Sequence, residues 1–180
     1  MKDPVVQVGD PVLRAIAKPV AKKDIGTPAL TKTLKHMSQV LAKEEYGVAL
    51  AAPQIGESLR IFVISGRVFK EEGDEEDTTP TPPDKVFINP TITNLSRKKR
   101  EMSEGCLSVR GKYGTVMRHE KASVRAWDEA GKLFTYNGSG LVAHIFQHEC
   151  DHLDGTLYID KAVKLEDDEK RDELREKHPA

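Results

Sequence analysis

The sequence is poor in cysteine and in aromatic residues, and neither sign of charge dominates it. Its 180 residues include two cysteines, one tryptophan and 6% aromatic residues, and the formal net charge is -1. Two cysteines are too few for the disulfide framework that stabilises small secreted domains. Because there is no basic excess to follow a phosphate backbone, we expect no direct recognition of nucleic acid.

Long apolar runs are also missing. No segment approaches the roughly 20 apolar residues that a membrane-spanning helix needs, and the first residues do not lead into a signal-peptide core. We therefore expect a soluble, intracellular protein without membrane contact. The length suffices for one domain with a hydrophobic core, which we expect over residues 1–160.

Two segments are too polar to join that core. Residues 70–84 are rich in acidic residues, threonine, proline and glycine, which predicts a mobile surface insertion between two strands. The tail over residues 161–180 mixes acidic and basic residues with few aliphatic ones. That composition predicts a solvated helix or a frayed end.

Local patterns predict both helices and strands. Thr27 and Pro28 form a helix start, and the apolar spacing that follows predicts an amphipathic helix closed by Gly47. Residues 59–64 and 86–95 have strand composition, with Pro90 marking an edge or a bulge. Residues 121–136 predict a hairpin that turns at 128–131.

The stretch from His148 to His152, with sequence HECDH, carries the clearest chemistry. In a helix the two histidines lie one turn apart on one face, with Glu149 beside the first of them. Such a pattern recurs in enzymes whose imidazoles hold zinc or a similar ion and whose carboxylate takes a proton from water. Cys150 faces away from both histidines, so we do not expect it to be a ligand. Because three fixed positions also arise by chance, a third ligand and a substrate groove must come from elsewhere.

Two other segments contain residues suited to such a site. Residues 47–54, GVALAAPQ, are mostly small or apolar and end in Gln54. This composition lets backbone approach a ligand closely, although ordinary helix-to-strand connections also have it. Cys106 lies in the segment SEGCLS, which fits a ligand loop, although a lone cysteine is more often a small buried hydrophobe.

The segments GVALAAPQ, EGCLS and QHECDHLDG resemble the three signature motifs of the peptide deformylases, metallohydrolases that remove the formyl group from the N-terminal methionine of new proteins. The resemblance covers nearly the whole chain. It implies an α+β fold in which antiparallel sheets pack around a central helix carrying the HExxH motif. It also implies a cytoplasmic location of the bacterial type and, as substrates, N-formylmethionyl peptides or nascent chains, with the ribosome as a further candidate partner.

The resemblance also implies roles for individual residues. Glu149 is implied as the acid/base, and Gln54 with the backbone N–H of Leu107 as the group that polarises the formyl oxygen. The implied metal ligands are Cys106, His148 and His152. Glu104 and Asp151 are candidates for orienting those ligands from outside. We expect the substrate to contact Gly47, Val48, Ala49, Gly105, Leu141 and His144.

The metal is predicted less directly than its ligands. A thiolate with two imidazoles would favour zinc on ligand type alone. The resemblance instead implies ferrous iron in the cell, with nickel, cobalt or zinc as substitutes. We therefore predict one divalent ion per chain, Fe(II) natively and zinc as an ion found after purification.

Three residues depart from the family pattern, and one of them, Arg110, stands where the family often has proline after the second motif, a change expected to be local. Ala49 stands where the first motif usually has a glycine, and its methyl group is predicted to affect substrate fit more than catalysis. His144 stands where the family usually has an apolar residue lining the methionine pocket. An extra metal ligand is disfavoured because residues 144 to 152 span about 12 Å of helix. A hydrogen-bonded histidine and a polar pocket wall stay open as alternatives.

Two other functions compete with deformylation. Zinc endopeptidases of the H-E-x-x-H type take their third ligand downstream, where this chain offers mainly the acids of its tail and His178. The upstream Cys106 fits a deformylase better. A binding module that has lost efficient catalysis is suggested by Ala49 and His144, whereas the retained acid/base and amide residues oppose it.

Overall fold

Two α-helices and eight β-strands form within residues 3–70 and 80–167, the parts of the chain that the computed structural model describes. The helices are α1 (Pro28–Leu41) and α2 (Gly140–Leu153). The strands are β1 (Ala49–Ala51), β2 (Ile61–Ile64), β3 (Lys85–Leu95), β4 (Lys99–Cys106), β5 (Val109–His119), β6 (Lys121–Trp127), β7 (Leu133–Ser139) and β8 (Lys164–Asp167). Most of the predicted insertion and most of the predicted tail lie outside the described residues.

The strands form two antiparallel sheets, which confirms the predicted α+β class. One sheet has five strands in the order β1-β2-β3-β6-β7, and the other has three in the order β4-β5-β8. The predicted hairpin is the β6–β7 pair, which is in register from Lys121 with Ser139 to Trp127 with Leu133. No helix in the described ranges is long and apolar enough to cross a membrane.

Helix α1 begins where its sequence predicts. The side chain of Thr27 accepts a hydrogen bond from the backbone N–H of Leu30, and Pro28 occupies the first turn, where its missing N–H costs nothing. The helix ends at Leu41, so the predicted closure at Gly47 is wrong. Residues 43–45, KEE, offer no apolar side chain to continue the buried face.

The five-stranded sheet is covered by a helix on each face. In β2, Phe62 and Ile64 join a buried cluster that includes Phe146 of α2. The alternate residues Ile61 and Val63 join a second cluster on the other face, formed with α1. Because successive strand residues point to opposite faces, both sides of β2 are apolar and buried.

Helix α2 also borders the three-stranded sheet. A third buried cluster includes Val109 and Val116 of β5 together with Tyr158. The Tyr158 ring lies 6.2 Å from the ring of His148, nearly parallel to it. The HECDH residues of α2 therefore lie at the junction of the two sheets.

Two further strand predictions can be compared with the structure. Strand β3 lies between β2 and β6, and its pairing shifts register between Ile88 and Thr91, so Pro90 lies at a bulge and not at an edge. Lys164–Asp167 form strand β8 on β5, so the prediction of a solvated helix or frayed end is wrong for these residues. The edge of β5 supplies backbone partners that composition alone does not reveal.

Gly155, just after α2, provides a test of the packing that holds this helix. It has a φ of +73°, and a Cβ there would lie 2.5 Å from the carbonyl oxygen of Arg14. Gly111 has a φ of +75° with nothing within 4 Å of a Cβ, so an alanine there measures only the cost of the left-handed backbone conformation. We expect Gly111→Ala to cost about 1–2 kcal/mol of unfolding free energy, and Gly155→Ala to cost about 1–3 kcal/mol more because backbone must shift. Urea unfolding measures both, and equal costs would contradict the predicted contact.

Candidate metal centre

Three metal-binding side chains from two elements meet at the end of β4. Cys106 is the last residue of β4, whereas His148 and His152 lie on α2. One ligand atom from each residue lies within 4.8 Å of the others. Nε2 of His152 is 3.2 Å from Sγ of Cys106. The structure thus brings together the three residues predicted as metal ligands.

The turn after Cys106 is held by the N-terminal segment. Cys106 pairs with Val109, so Leu107 and Ser108 form a two-residue turn between β4 and β5. The side chain of Gln7 donates to the carbonyl oxygen of Leu107 at 3.0 Å. The backbone N–H of Val8 donates to the carbonyl oxygen of Ser108 at 2.8 Å. These bonds fix the peptide planes next to the thiol.

The donor set fits a divalent metal ion. A thiol and two imidazoles are borderline-soft donors of the kind that zinc and similar ions take, and three protein ligands leave one position for a further ligand. Among the described residues, the buried atoms Oε2 of Glu149 and Nδ1 of His152 have no hydrogen-bond partner. Because buried polar atoms are normally paired, Oε2 of Glu149 indicates that a group outside the chain completes the site, whereas Nδ1 of His152 is the ring nitrogen that does not face Cys106.

The two imidazoles differ in their affinity for protons. Burial opposes charge on His148, yet hydrogen bonds with Cys106 and Glu104 raise its pKa well above the ordinary value. Burial and the charge of His148 lower the pKa of His152 well below that value. His152 is therefore neutral, which is the form of imidazole that binds a metal.

Glu104 orients His148 from the side away from Cys106. Its carboxylate is 2% exposed, and Oε2 lies 2.8 Å from Nδ1 of His148. With Nδ1 engaged, Nε2 of His148 is left for a metal ion. Burial raises the pKa of Glu104, but hydrogen bonds from His144, His148 and Arg118 outweigh it and lower that pKa well below the ordinary value.

Arg118 is a buried charge that the sequence interpretation missed. Its Nε and Nη2 bind the two oxygens of Glu104, and its Nη1 lies 2.7 Å from Oδ2 of Asp151. Asp151 also accepts from Lys161 at 2.6 Å. A signal was present, because Arg118 falls two residues after Val116 on the inward face of β5.

Gln54 presents its amide to the thiol. Its Oε1 accepts from the backbone N–H of Ala51 at 2.8 Å, which fixes the orientation of the amide. Its Nε2 then lies 3.4 Å from Sγ of Cys106 and 3.3 Å from Oγ of Ser108. Gln54 is 2% exposed, so the donor is held in place inside the protein.

Glu149 lies inside the protein beside the cluster. It is 4% exposed, and burial raises its pKa to about 7. A carboxyl group with a pKa near neutrality can both accept and return a proton.

The residues predicted to contact substrate fall into two groups. Val48 and Leu141 are partly exposed, and the backbone of Gly47 passes so close to the Cys106 turn that a Cβ would lie 3.4 Å from Cδ1 of Leu107. A Cβ on Gly105 would lie 2.7 Å from the ring of Tyr113. The second group consists of Ala49 and His144, whose side chains are largely buried and contact other residues of the protein.

Ala49 and His144 are the two departures from the family pattern that are predicted to affect substrate fit. Ala49 is 7% exposed and belongs to the buried cluster that includes α2. Nε2 of His144 lies 2.8 Å from Oε1 of Glu104, and its side chain is 11% exposed. His144 is therefore a hydrogen-bonded histidine, while its effect on substrate preference stays a prediction.

Known proteins resemble this chain in sequence and in structure. The sequence model of the polypeptide deformylase family matches residues 2–168. A peptide deformylase of Carboxydothermus hydrogenoformans is 40% identical over 161 residues, which cover 89% of this chain and 93% of the relative. Peptide deformylase 1A, chloroplastic/mitochondrial, of Arabidopsis thaliana is 39% identical over 171 residues, and the match covers 88% of this chain but 61% of the plant protein.

A solved structure has the same fold. The Met-Ala-Ser-bound crystal structure of a class I type b peptide deformylase from Acinetobacter baumannii matches with a TM-score of 0.76 and 30% sequence identity. The match covers 88% of this chain and 97% of that chain. Deformylases hold a divalent metal, and the Cys106, His148 and His152 cluster has the donors for one. From the family match over nearly its whole length, this chain belongs to the peptide deformylase family.

Proposed function

We propose that this protein removes the N-formyl group from N-formylmethionyl peptides or nascent chains, releasing formate and a free amino terminus. The observation that carries the proposal is the meeting of Cys106, His148 and His152 beside two further buried groups, the Glu149 carboxyl and the Gln54 amide. The Acinetobacter baumannii relative binds Met-Ala-Ser, the peptide that deformylation of formyl-Met-Ala-Ser would leave.

Cys106, His148 and His152 would hold one divalent ion, Fe(II) in the cell, with zinc, nickel or cobalt as substitutes. When bound, such an ion supplies Lewis acidity, which lowers the pKa of water and favours charge on the formyl oxygen. Glu104 and Asp151 support the ligands from outside: Glu104 holds His148, and Asp151 holds the arginine that holds Glu104.

Glu149 would move the proton. It takes a proton from the attacking water, and after the tetrahedral carbon forms it gives that proton to the departing amine nitrogen. Its Oε2 has no hydrogen-bond partner among the described residues, so it is available for this exchange. Its burial keeps bulk water from competing for the proton.

Gln54 and the backbone N–H of Leu107 would stabilise the formyl oxygen as its negative charge grows. The Gln54 amide is already oriented by Ala51, so it need not reorganise during the reaction. A preorganised donor of this kind contributes about 2.7–4 kcal/mol to lowering the barrier. The peptide would contact the predicted residues Gly47, Val48, Gly105 and Leu141, whereas contact with Ala49 and His144, which pack against protein, stays a prediction.

Neither competing function has a comparable observation in its favour. An H-E-x-x-H endopeptidase takes its third ligand downstream of the motif, whereas the structure brings the upstream Cys106 to the histidines. A binding module without catalysis does not need a buried carboxylate whose Oε2 has no hydrogen-bond partner within the described ranges. A cytoplasmic location and contact with the ribosome stay predictions.

The direct test measures both products, formate and Met-Ala-Ser, that are released from formyl-Met-Ala-Ser. We expect formate and Met-Ala-Ser to appear in equal amounts, and acetyl-Met-Ala-Ser to react far more slowly because its extra methyl group crowds the reacting carbon. An unformylated protein substrate serves as the control for endopeptidase activity. Cleavage of that substrate without formate release would favour the endopeptidase and overturn the proposal.

A further inference from the structure

Two successive turns of α2 contact the same carboxylate of β4. Nε2 of His144 lies 2.8 Å from Oε1 of Glu104, and Nδ1 of His148 lies 2.8 Å from Oε2. The spacing of four residues places both imidazoles on one face of the helix. Glu104 therefore joins β4 to α2 at two points and not at one.

The Glu104 carboxylate is saturated with donors. Arg118 binds Oε1 through Nε and Oε2 through Nη2, so each oxygen has one guanidinium and one imidazole partner. A carboxylate offers about four acceptor positions, and all of them are used here. Nε2 of His144 occupies one of these four positions.

This contact matters because the candidate ligands are divided between two elements. Cys106 comes from β4, two residues after Glu104, and both histidines come from α2. The distance between the thiol and the imidazoles therefore depends on how α2 sits against β4. Without His144, Oε1 of Glu104 would lose the polar contact that joins it directly to the helix.

We propose that His144 is a positioning residue for the metal centre, acting through Glu104 on His148. The proposal rests on the function proposed above, because it assumes a metal at Cys106, His148 and His152. It differs from the pocket-wall hypothesis, in which His144 faces the substrate side chain. Only 11% of the His144 side chain is exposed, and its terminal nitrogen is engaged by Glu104.

The test compares zinc release from zinc-loaded variants challenged with a chromophoric chelator. We expect His144→Leu to release zinc about tenfold faster than the unmodified protein, the lower end of the effect of losing a residue that orients a metal ligand. His144→Gln, which keeps a donor at similar reach, should restore slow release. His36→Leu, an exposed histidine on α1, is the control and should leave release and activity unchanged.

Two further measurements separate positioning from packing and from substrate contact. The absorption bands of the cobalt-loaded protein should shift in His144→Leu and return in His144→Gln. With zinc saturating, the ranking of formylated peptides that differ in their first side chain should stay the same in His144→Leu. A changed ranking with unchanged zinc release would overturn the proposal in favour of the pocket wall.

The variant Cys106→Ser distinguishes failure of this inference from failure of the proposed function. If Cys106→Ser speeds zinc release but His144→Leu does not, only the positioning role of His144 is overturned. If Cys106→Ser also leaves zinc release unchanged, the metal centre itself is overturned, and the inference with it.

Discussion

Formate release falls by roughly 10²- to 10⁴-fold when Glu149 is replaced by glutamine, the range that a positioned acid/base contributes. Glutamine has nearly the shape of glutamate, so the core around residue 149 is retained. It cannot take a proton from water at neutral pH. The loss should therefore appear in kcat, with KM for formyl-Met-Ala-Ser little changed.

This loss has a structural cause that can be separated from damage to the site. Glu149 is buried, and burial raises its pKa to about 7, so its environment suits proton transfer. The metal content of Glu149→Gln should equal that of the unmodified protein, because Glu149 is not among the three clustered ligands. Glu129→Gln, at an exposed position, is the matched control. Retention of most activity by Glu149→Gln would remove Glu149 from the mechanism.

Replacing Arg118 by methionine should have the largest effect on stability. Arg118 is 4% exposed and binds Glu104, which is 2% exposed, as well as Asp151. Burial opposes the charge of Arg118, but these two carboxylates raise its pKa above the ordinary value. Methionine fills similar space and leaves the Glu104 charge buried without its counter-ion. Removing one partner of such a pair costs about 3–5 kcal/mol of unfolding free energy.

Urea unfolding of the metal-free protein would measure this loss. Arg125→Met, at an exposed position of β6, is the matched control and should change stability little. The double variant Arg118→Met with Glu104→Gln should recover part of the lost unfolding free energy. It removes the buried Glu104 charge that Arg118→Met leaves without a counter-ion. If the loss of unfolding free energy in the double variant equalled the sum of the losses in the two single variants, the buried charge would not be the cause.

The sequence predicts the parts of this fold that depend on local pattern. Thr27 and Pro28 begin α1, and residues 121–136 form most of the β6–β7 hairpin. The HECDH residues lie on a helix, as the four-residue spacing of the two histidines predicts. These features depend on neighbours along the chain, which the sequence displays directly.

Features that depend on distant partners were not predictable in the same way. Strand β8 forms because β5 has a free edge for it, which is a property of the assembled sheet. Arg118 becomes part of the site because an inward strand position places it against Glu104 and Asp151. The sequence leaves alternatives open for His144 because only the packing of α2 on β4 decides what lies beside it.

The candidate site itself was predictable as a set of residues but not as an arrangement. The motif resemblance selects Cys106 as the partner of His148 and His152, and the structure brings all three together. Nothing local indicates that the Gln54 amide would lie 3.4 Å from Sγ of Cys106. That distance depends on Ala51 fixing the amide and on the N-terminal segment holding the turn.

The measurement that tests the central claim most directly is an anaerobic titration of Fe(II) into the metal-free protein, with formate release from formyl-Met-Ala-Ser as the readout. We predict that the rate rises linearly and levels off at a single ion per chain. Cys150→Ser should behave in the same way, because Cys150 is buried away from the cluster, whereas Cys106→Ser should not be activated. Full activity without added metal, or unchanged activation of Cys106→Ser, would contradict the account.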